Sequence, residues 1–253
     1  MGNLATDARG EKRRKESILS KLASTYPKAT IALTHSNAWE LLVAVILSAQ
    51  CTDVRVNLVT PVLFTKFPTV KSFRDAPIEE IEKAIKSTGF YHAKARNIQN
   101  SATMIIDRFD GVVPRTMIDI LTLPGVARKT ANVVLGNAYG VVEGIAVDTH
   151  VIRLSQRLRL VDISKISGKI IVQFKKYSRG NEGRGTAVHI TTIDYLKDAD
   201  PVKIEKELMG WLPKDKWMTV TYQLIDHGRA ICNAQTPKCD ICPLSSLCPA
   251  SRV

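Results

Sequence analysis

The stretch LPGVARKTANVV, residues 123–134, sets a proline and a glycine directly before an apolar-periodic run. It reads as a tight turn entering a helix from about Arg128 to Asn137, with Lys129 in the first turn. A helix N-terminus carries roughly half a positive charge, so an acid is the expected residue there and an amine is the odd one. Two ordinary explanations come first: a solvated surface lysine, or a phosphate-binding loop. A Walker A loop needs glycine immediately before its Lys-Thr pair and another five residues earlier, and here those positions hold Arg128 and Leu123. The loop is excluded. On this stretch alone the surface lysine stands, and the rest of the chain has to decide.

The chain has 253 residues, enough for one or two domains with a real core. Its 36 Lys+Arg against 24 Asp+Glu give a net charge of +12, which favours a polyanionic partner, nucleic acid ahead of membrane. No apolar run approaches the ~20 residues of a membrane span. MGNLATDARGEKRRK lacks the apolar centre of a secretion signal, so an intracellular protein is expected, in the cytoplasm or nucleoid if the source is prokaryotic.

Helix signals dominate between short turns, so the expected class is all-α. Ile18, Leu19 and Leu22 share a face of a helix near the N-terminus, and WELLVAVILSAQ is apolar nearly all round, the mark of a buried helix. Asp75 with Pro77 is read as the start of another helix, Tyr91 to Phe109 as the next, and Asp200-Pro201 as a cap-plus-N1 pair. Residues 162–195 break the pattern. There KIIVQFKKYS and GTAVHITTIDY, rich in β-branched and aromatic residues, flank the glycine-rich RGNEGRG, which predicts a β-hairpin.

Cys232, Cys239, Cys242 and Cys248 fall within 17 residues, with six, two and five residues between successive cysteines. Disulfides are disfavoured inside cells, so a metal centre is the default. Zinc and a [4Fe-4S] cluster both take four thiolates, and one short hook with longer arms favours the cluster only mildly. Cys51 reads as a small core residue. Asp148 lies nineteen residues after Lys129, room for one helix and a return turn, while the VDTH context also fits a plain helix N-cap. Backbone N–H groups of the Leu123–Ala127 turn can bind a phosphate, which positions DNA without reading its sequence.

Taken in order, ILSAQCTD, TGFYHAKARNI, LPGVARKTANVV, IAVDTHVIRL and the four terminal cysteines resemble the endonuclease III family of helix-hairpin-helix DNA glycosylases, from about Trp39 to Cys248. The resemblance implies a two-domain α fold: a six-helix bundle over about residues 31–141, and a [4Fe-4S] domain built from residues 1–30 plus 142–253, with the DNA cleft between them. It implies that Lys129 is the nucleophile and Asp148 the essential carboxylate. A nucleophilic amine must be neutral, and burial together with the positive helix end would disfavour the ammonium. The implied partner is double-stranded DNA carrying a damaged base or an abasic site, acted on by a monomer.

By the same resemblance the cluster ligands are Cys232, Cys239, Cys242 and Cys248. Phosphate contacts fall to Leu123, Gly125, Ala127 and Arg128 in the hairpin turn, and to Lys238 near the cluster. Gln50 would fill the gap left by a flipped base, Phe90 would wedge against the opposite strand, and His150 would line the cleft. Their ordinary readings are a polar helix end, a core aromatic and a capping neighbour.

The implied reaction removes an oxidised pyrimidine and cuts the strand 3′ to the abasic site by β-elimination. A monofunctional mismatch glycosylase and a non-catalytic DNA-binding scaffold are the alternatives, and neither needs Lys129. The sequence departs from the family pattern at three places. Ala127 stands where a second glycine is usual, so it is expected either to be helical already or to alter the phosphate contact. The 233–238 loop has only Lys238 as a basic residue. Residues 162–195 have no counterpart in the pattern; their six Lys and Arg against three acids suggest a solvent-facing extension of the DNA surface.

Overall fold

The computed structural model describes residues 3–178 and 188–253, with side chains described over 8–174 and 193–253. The chain divides into two compact units, one continuous over residues 31–146 and one formed by 1–30 with 147–253. Helix α1 (Asn3–Thr25) opens the second of these.

The continuous unit holds α2 (Ala38–Leu47), α3 (Asp53–Lys66), α4 (Val70–Asp75), α5 (Ile78–Ile85), α6 (Tyr91–Arg108), the single turn α7 (Met117–Ile120) and α8 (Arg128–Tyr139). As its all-round apolar sequence requires, α2 is enclosed, with Trp39 and every residue from Leu41 to Leu47 buried. Each fully buried aliphatic of this kind contributes roughly 1.5–3 kcal/mol. Phe73 is wholly buried among the rings of Trp39, Phe64 and Phe67, with centroids 5.3, 6.4 and 5.3 Å away. Asp75 is not the start of α5: it ends α4, where it pairs with Lys71 and Arg74, and Pro77 caps α5. Aspartate and a nearby proline signal a helix start equally well when a new helix follows an old one at once, which is why the sequence misplaces the boundary.

The other unit joins α1 to α9 (Thr149–Arg157), strands β1 (Ile171–Ser178) and β2 (Val188–Leu196), α10 (Pro201–Met209) and α11 (Trp217–Ala230). Asp200 caps α10 with Pro201 at its first position, as the sequence predicts. The strands pair antiparallel from Ile171 opposite Leu196 to Ser178 opposite Val188, with a bulge at Val172/Gln173. The predicted hairpin is therefore present, but its base is not solvent-facing. Phe174, Asp194, Tyr195 and Leu196 are buried, and the Gln156 side chain both donates to Leu196 O and accepts from its N–H. Gly180, Asn181, Gly183 and Gly185 of the predicted turn, with Arg179 and Arg184, lie outside the described residues.

Helix α1 is fastened across great sequence distance. Arg14 donates to Leu158 O at 2.7 Å, Leu247 O at 3.0 Å and Arg159 O at 3.1 Å, all carbonyls at the ends of helical turns. Tyr26, just past its C-terminus, reaches His227 on α11.

Candidate active site and cysteine centre

The 123–127 turn is built by three constraints. Gly125 has φ of 76°, and a Cβ there would lie 2.7 Å from the Asn97 side chain on α6. Ser101, one turn further along α6, donates to Pro124 O at 3.0 Å. Leu123 and Val126 are buried in the core of the continuous unit. Leu123 thus anchors the turn from beneath: its side chain is in the core and its N–H already donates to Ile120 O. Gly125 and Ala127 are exposed and Arg128 is half-buried, so these three are the candidate phosphate contacts that face outward. Ala127 is neither helical nor strained; at φ −94° and ψ 171° it is the extended N-cap of α8, a conformation alanine adopts freely.

That N-terminus differs from its neighbours. Asn37, Thr52, Thr69 and Thr116 each accept a backbone N–H at the starts of α2, α3, α4 and α7. Helix α8 has no side-chain cap and no acid in its first turn. A helix start with no side-chain cap, at the positive end of the dipole, suits an external anion. Lys129 sits in this first turn and is exposed, not buried. The buried residues of α8 run from Ala131 to Leu135, one turn further on, and Lys129 is exposed because it stands at the open start of the helix before that enclosed stretch.

Asp148, in the other unit, caps α9: its Oδ1 accepts the Val151 N–H at 2.8 Å. The cap uses one carboxylate oxygen and fixes the group's direction. His150 and Arg153 follow on the same helix, with His150 Nδ1 3.2 Å from Arg153 Nη2. Arg153 donates to Cys232 O at 3.0 Å and Gly228 O at 3.3 Å. A Cβ on Gly228 would meet His150 Nδ1 at 2.6 Å, so only glycine lets α11 pack this closely on α9. Helix α9 therefore links the carboxylate at its start to the first cysteine.

Gln50 and Phe90 are both exposed and both left-handed, at φ 52° and φ 50°. Phe90 is 67% exposed, which rules out the core-aromatic reading. Lys238 is exposed, with its ammonium 3.3 Å from Ala230 O at the end of α11.

The four cysteines line one small cavity of about 20 Å³, together with Arg157, His227 and Ala250. All four are free thiols and half-buried. Among the described residues no three His, Cys, Asp or Glu gather closely enough to hold one ion, so the thiols ring a space instead of meeting at a point. Burial pushes the Cys248 thiol up to about 12 and raises Cys242, and the neighbouring cysteines add to both. Arg157 Nη1 donates to Cys232 Sγ at 3.3 Å, and His227 Nε2 lies 3.5 Å from Cys242 Sγ. Desolvation holds His227 near pKa 4, a neutral ring whose Nδ1 is 3.0 Å from the Tyr26 hydroxyl. Arg157 reaches this centre from α9, 75 residues before Cys232, so no local pattern hints at it, whereas His227 stands five residues before Cys232 and could have been suspected from that spacing.

The chain has close relatives among known proteins. A family profile described as HhH-GPD superfamily base excision DNA repair protein matches residues 43–178. Endonuclease III of Synechocystis sp. is 42% identical over 252 residues, covering 100% of this chain and 99% of the relative. Endonuclease III of Bacillus subtilis is 42% identical, covering 92% of this chain and 90% of the relative. A solved structure described as a trapped endonuclease III–DNA covalent intermediate is 40% identical, covers 95% of this chain and 96% of its own, and superposes with a TM-score of 0.77.

Proposed function

The chain belongs to the endonuclease III family of HhH-GPD base-excision repair proteins, and from that membership we infer what its individual residues do. It is a bifunctional DNA glycosylase and abasic-site lyase. The observation that carries the residue assignment is the uncapped, acid-free start of α8 behind the Gly125 turn, with Lys129 held outward in it.

The turn and the helix start take a DNA phosphate through Gly125, Ala127 and Arg128, which brings Lys129 to the deoxyribose of an extruded nucleotide. Lys129 attacks C1′, the glycosidic bond breaks, and the base leaves with its electron pair and gains a proton. Asp148, aimed by its own cap, stabilises the positive charge that develops on the sugar and assists the proton transfers. The resulting Schiff base acidifies C2′, and loss of that proton expels the 3′ phosphate. In the free protein Lys129 is exposed, so water is excluded from it by the bound DNA and not by the fold. Gln50 fills the vacated stack, Phe90 lies against the opposite strand, and His150 lines the cleft. Oxidised pyrimidines are the substrate class, taken by a monomer from double-stranded DNA. Among the described residues no helix is long and apolar enough to cross a membrane.

Cys232, Cys239, Cys242 and Cys248 hold a [4Fe-4S] cluster. The donor set suits it: four thiols line a shared space, the number of thiolates that such a cluster takes. When bound, the cluster supplies a covalent cross-link between the arms of the cysteine loop and a one-electron redox centre.

Borohydride added during turnover should trap a covalent protein–DNA species with the wild type and none with Lys129→Ala; equal trapping would refute the nucleophile. Asp148→Asn should keep folded structure and DNA affinity while excision slows by roughly 10²–10⁴-fold. Wild-type rates would reduce Asp148 to a helix cap. A panel of duplexes, each with one lesion, tests the substrate class.

A further inference from the structure

Lys94 is 4% exposed, an ammonium inside the continuous unit. Its Nζ donates to two backbone carbonyls, Leu47 O and Thr88 O, each at 2.8 Å. Both carbonyls are C-terminal: Leu47 ends α2, and Thr88 ends the 3-10 turn Lys86–Thr88. Carbonyls at such ends lack intrahelical donors and carry the negative end of the dipole, so one cation serves both. Burying an ammonium is nonetheless costly, and two separate caps exposed to water would satisfy the same carbonyls.

What distinguishes the site is what lies immediately downstream of each carbonyl. Gln50 follows Leu47 by three residues and Phe90 follows Thr88 by two. Among the described residues only four non-glycine positions have positive φ, and these are two of them. A left-handed non-glycine residue is strained and persists where its surroundings over-determine it. Gly89, at φ 70°, continues the same sharp path on the Phe90 side. Two strained, exposed side chains on separate loops are thus tied to one buried ammonium.

We propose that Lys94 is a positioning residue for base extrusion, joining the Gln50 and Phe90 loops so that both side chains enter the duplex as one rigid pair. The proposal rests on the reading of Gln50 and Phe90 as inserting residues. Independent loops would each have to be ordered when DNA arrives, whereas loops sharing one anchor meet it already ordered. The helix ends supply the anchoring carbonyls, and the ammonium sets the spacing between them.

The test compares two rates in the same protein: single-turnover excision of an oxidised pyrimidine from a fully paired duplex, and strand cleavage at an abasic site in single-stranded DNA, where no stack has to be filled. Lys94→Met keeps the length and removes the donors. It should lower the ratio of duplex to single-strand rates by roughly 10²-fold, the size expected of a displacement of about 1 Å at a reacting site. Lys94→Arg should recover part of that loss. If Lys94→Met gives no folded protein, Lys94→Gln is read by the same ratio. Gln50→Ala and Phe90→Ala serve as controls, and adding Lys94→Met to the double alanine variant should cost little more. A wild-type ratio in the Lys94 variant beside lowered ratios in the controls overturns this proposal alone. Unchanged ratios in the controls overturn the inserting roles and the proposal with them.

Discussion

Gly125 shows how one position can be required twice. Its φ of 76° is left-handed, and its missing Cβ leaves room for Asn97. Gly125→Ala should therefore lower stability by about 1–3 kcal/mol and weaken binding to every DNA sequence alike, because the turn holds phosphate and not bases. A melting curve and a binding isotherm check it; two wild-type values would mean the turn relaxes around alanine. Ala127→Gly, two residues on, should leave DNA affinity near wild type, since the extended N-cap needs no glycine. Gly125 is legible in the sequence through its Pro-Gly turn, but the pattern does not say which of two nearby positions carries the positive φ. Lys129 is legible as chemistry while its exposure is not, because it is in register with the buried Asn132 and Val133 and is exposed only through its place at the open helix start. Lys94 stands inside TGFYHAKARNI without that motif giving it a role, although its spacing from Ile98, Ser101 and Ala102 puts it on the buried stripe of α6. A charged residue on an apolar stripe is the signal that marks it.

At the scale of elements, the hairpin is the part that local propensity foretells and burial then corrects. Its two strands follow from β-branched and aromatic runs, but nothing in those runs reveals that Asp194 is fully buried. Asp194 receives Arg157 through two bonds of 2.8 and 2.6 Å, and Arg252 at 3.3 Å. Arg157 also donates to Asn233 O and Ala234 O, so a single guanidinium joins β2 to the loop of the cysteine ring. Asp194→Asn should cost about 3–5 kcal/mol, because it leaves buried cations without their carboxylate. Thermal melting measures this, and an unchanged midpoint would show that the carbonyls alone hold Arg157. The basic residues within 162–195 can be tested separately. Replacing Lys175, Lys176, Arg179 and Arg184 with alanine should flatten the log–log salt dependence of binding by roughly 0.9 for each phosphate that is no longer neutralised. An unchanged slope would leave the strands with a purely structural part.

At the scale of the molecule, the ordered motifs are enough to name the family, since five short stretches in one sequence order constrain a fold far more than any of them alone. The cysteine centre is legible as donors and not as surroundings. Cys239→Ser should lower bound iron and thermal stability together while leaving the chemistry at Lys129 intact in whatever protein folds; normal stability without iron would deny the cluster its structural part. Tyr26 and Arg14 belong to that same unit from positions no local pattern connects to cysteines. Their pairing is a matter of topology. It also sets an order of events during synthesis. Residues 31–146 can complete their packing soon after leaving the ribosome, whereas α1 is made before them and its Arg14 must wait for the Leu158 and Arg159 carbonyls and, 233 residues later, for that of Leu247. At roughly 5–20 residues per second that wait is on the order of ten to fifty seconds. For that interval the nascent chain carries a finished body and a helix whose Arg14 is only partly bonded, and the segment that holds Leu247 completes the fastening.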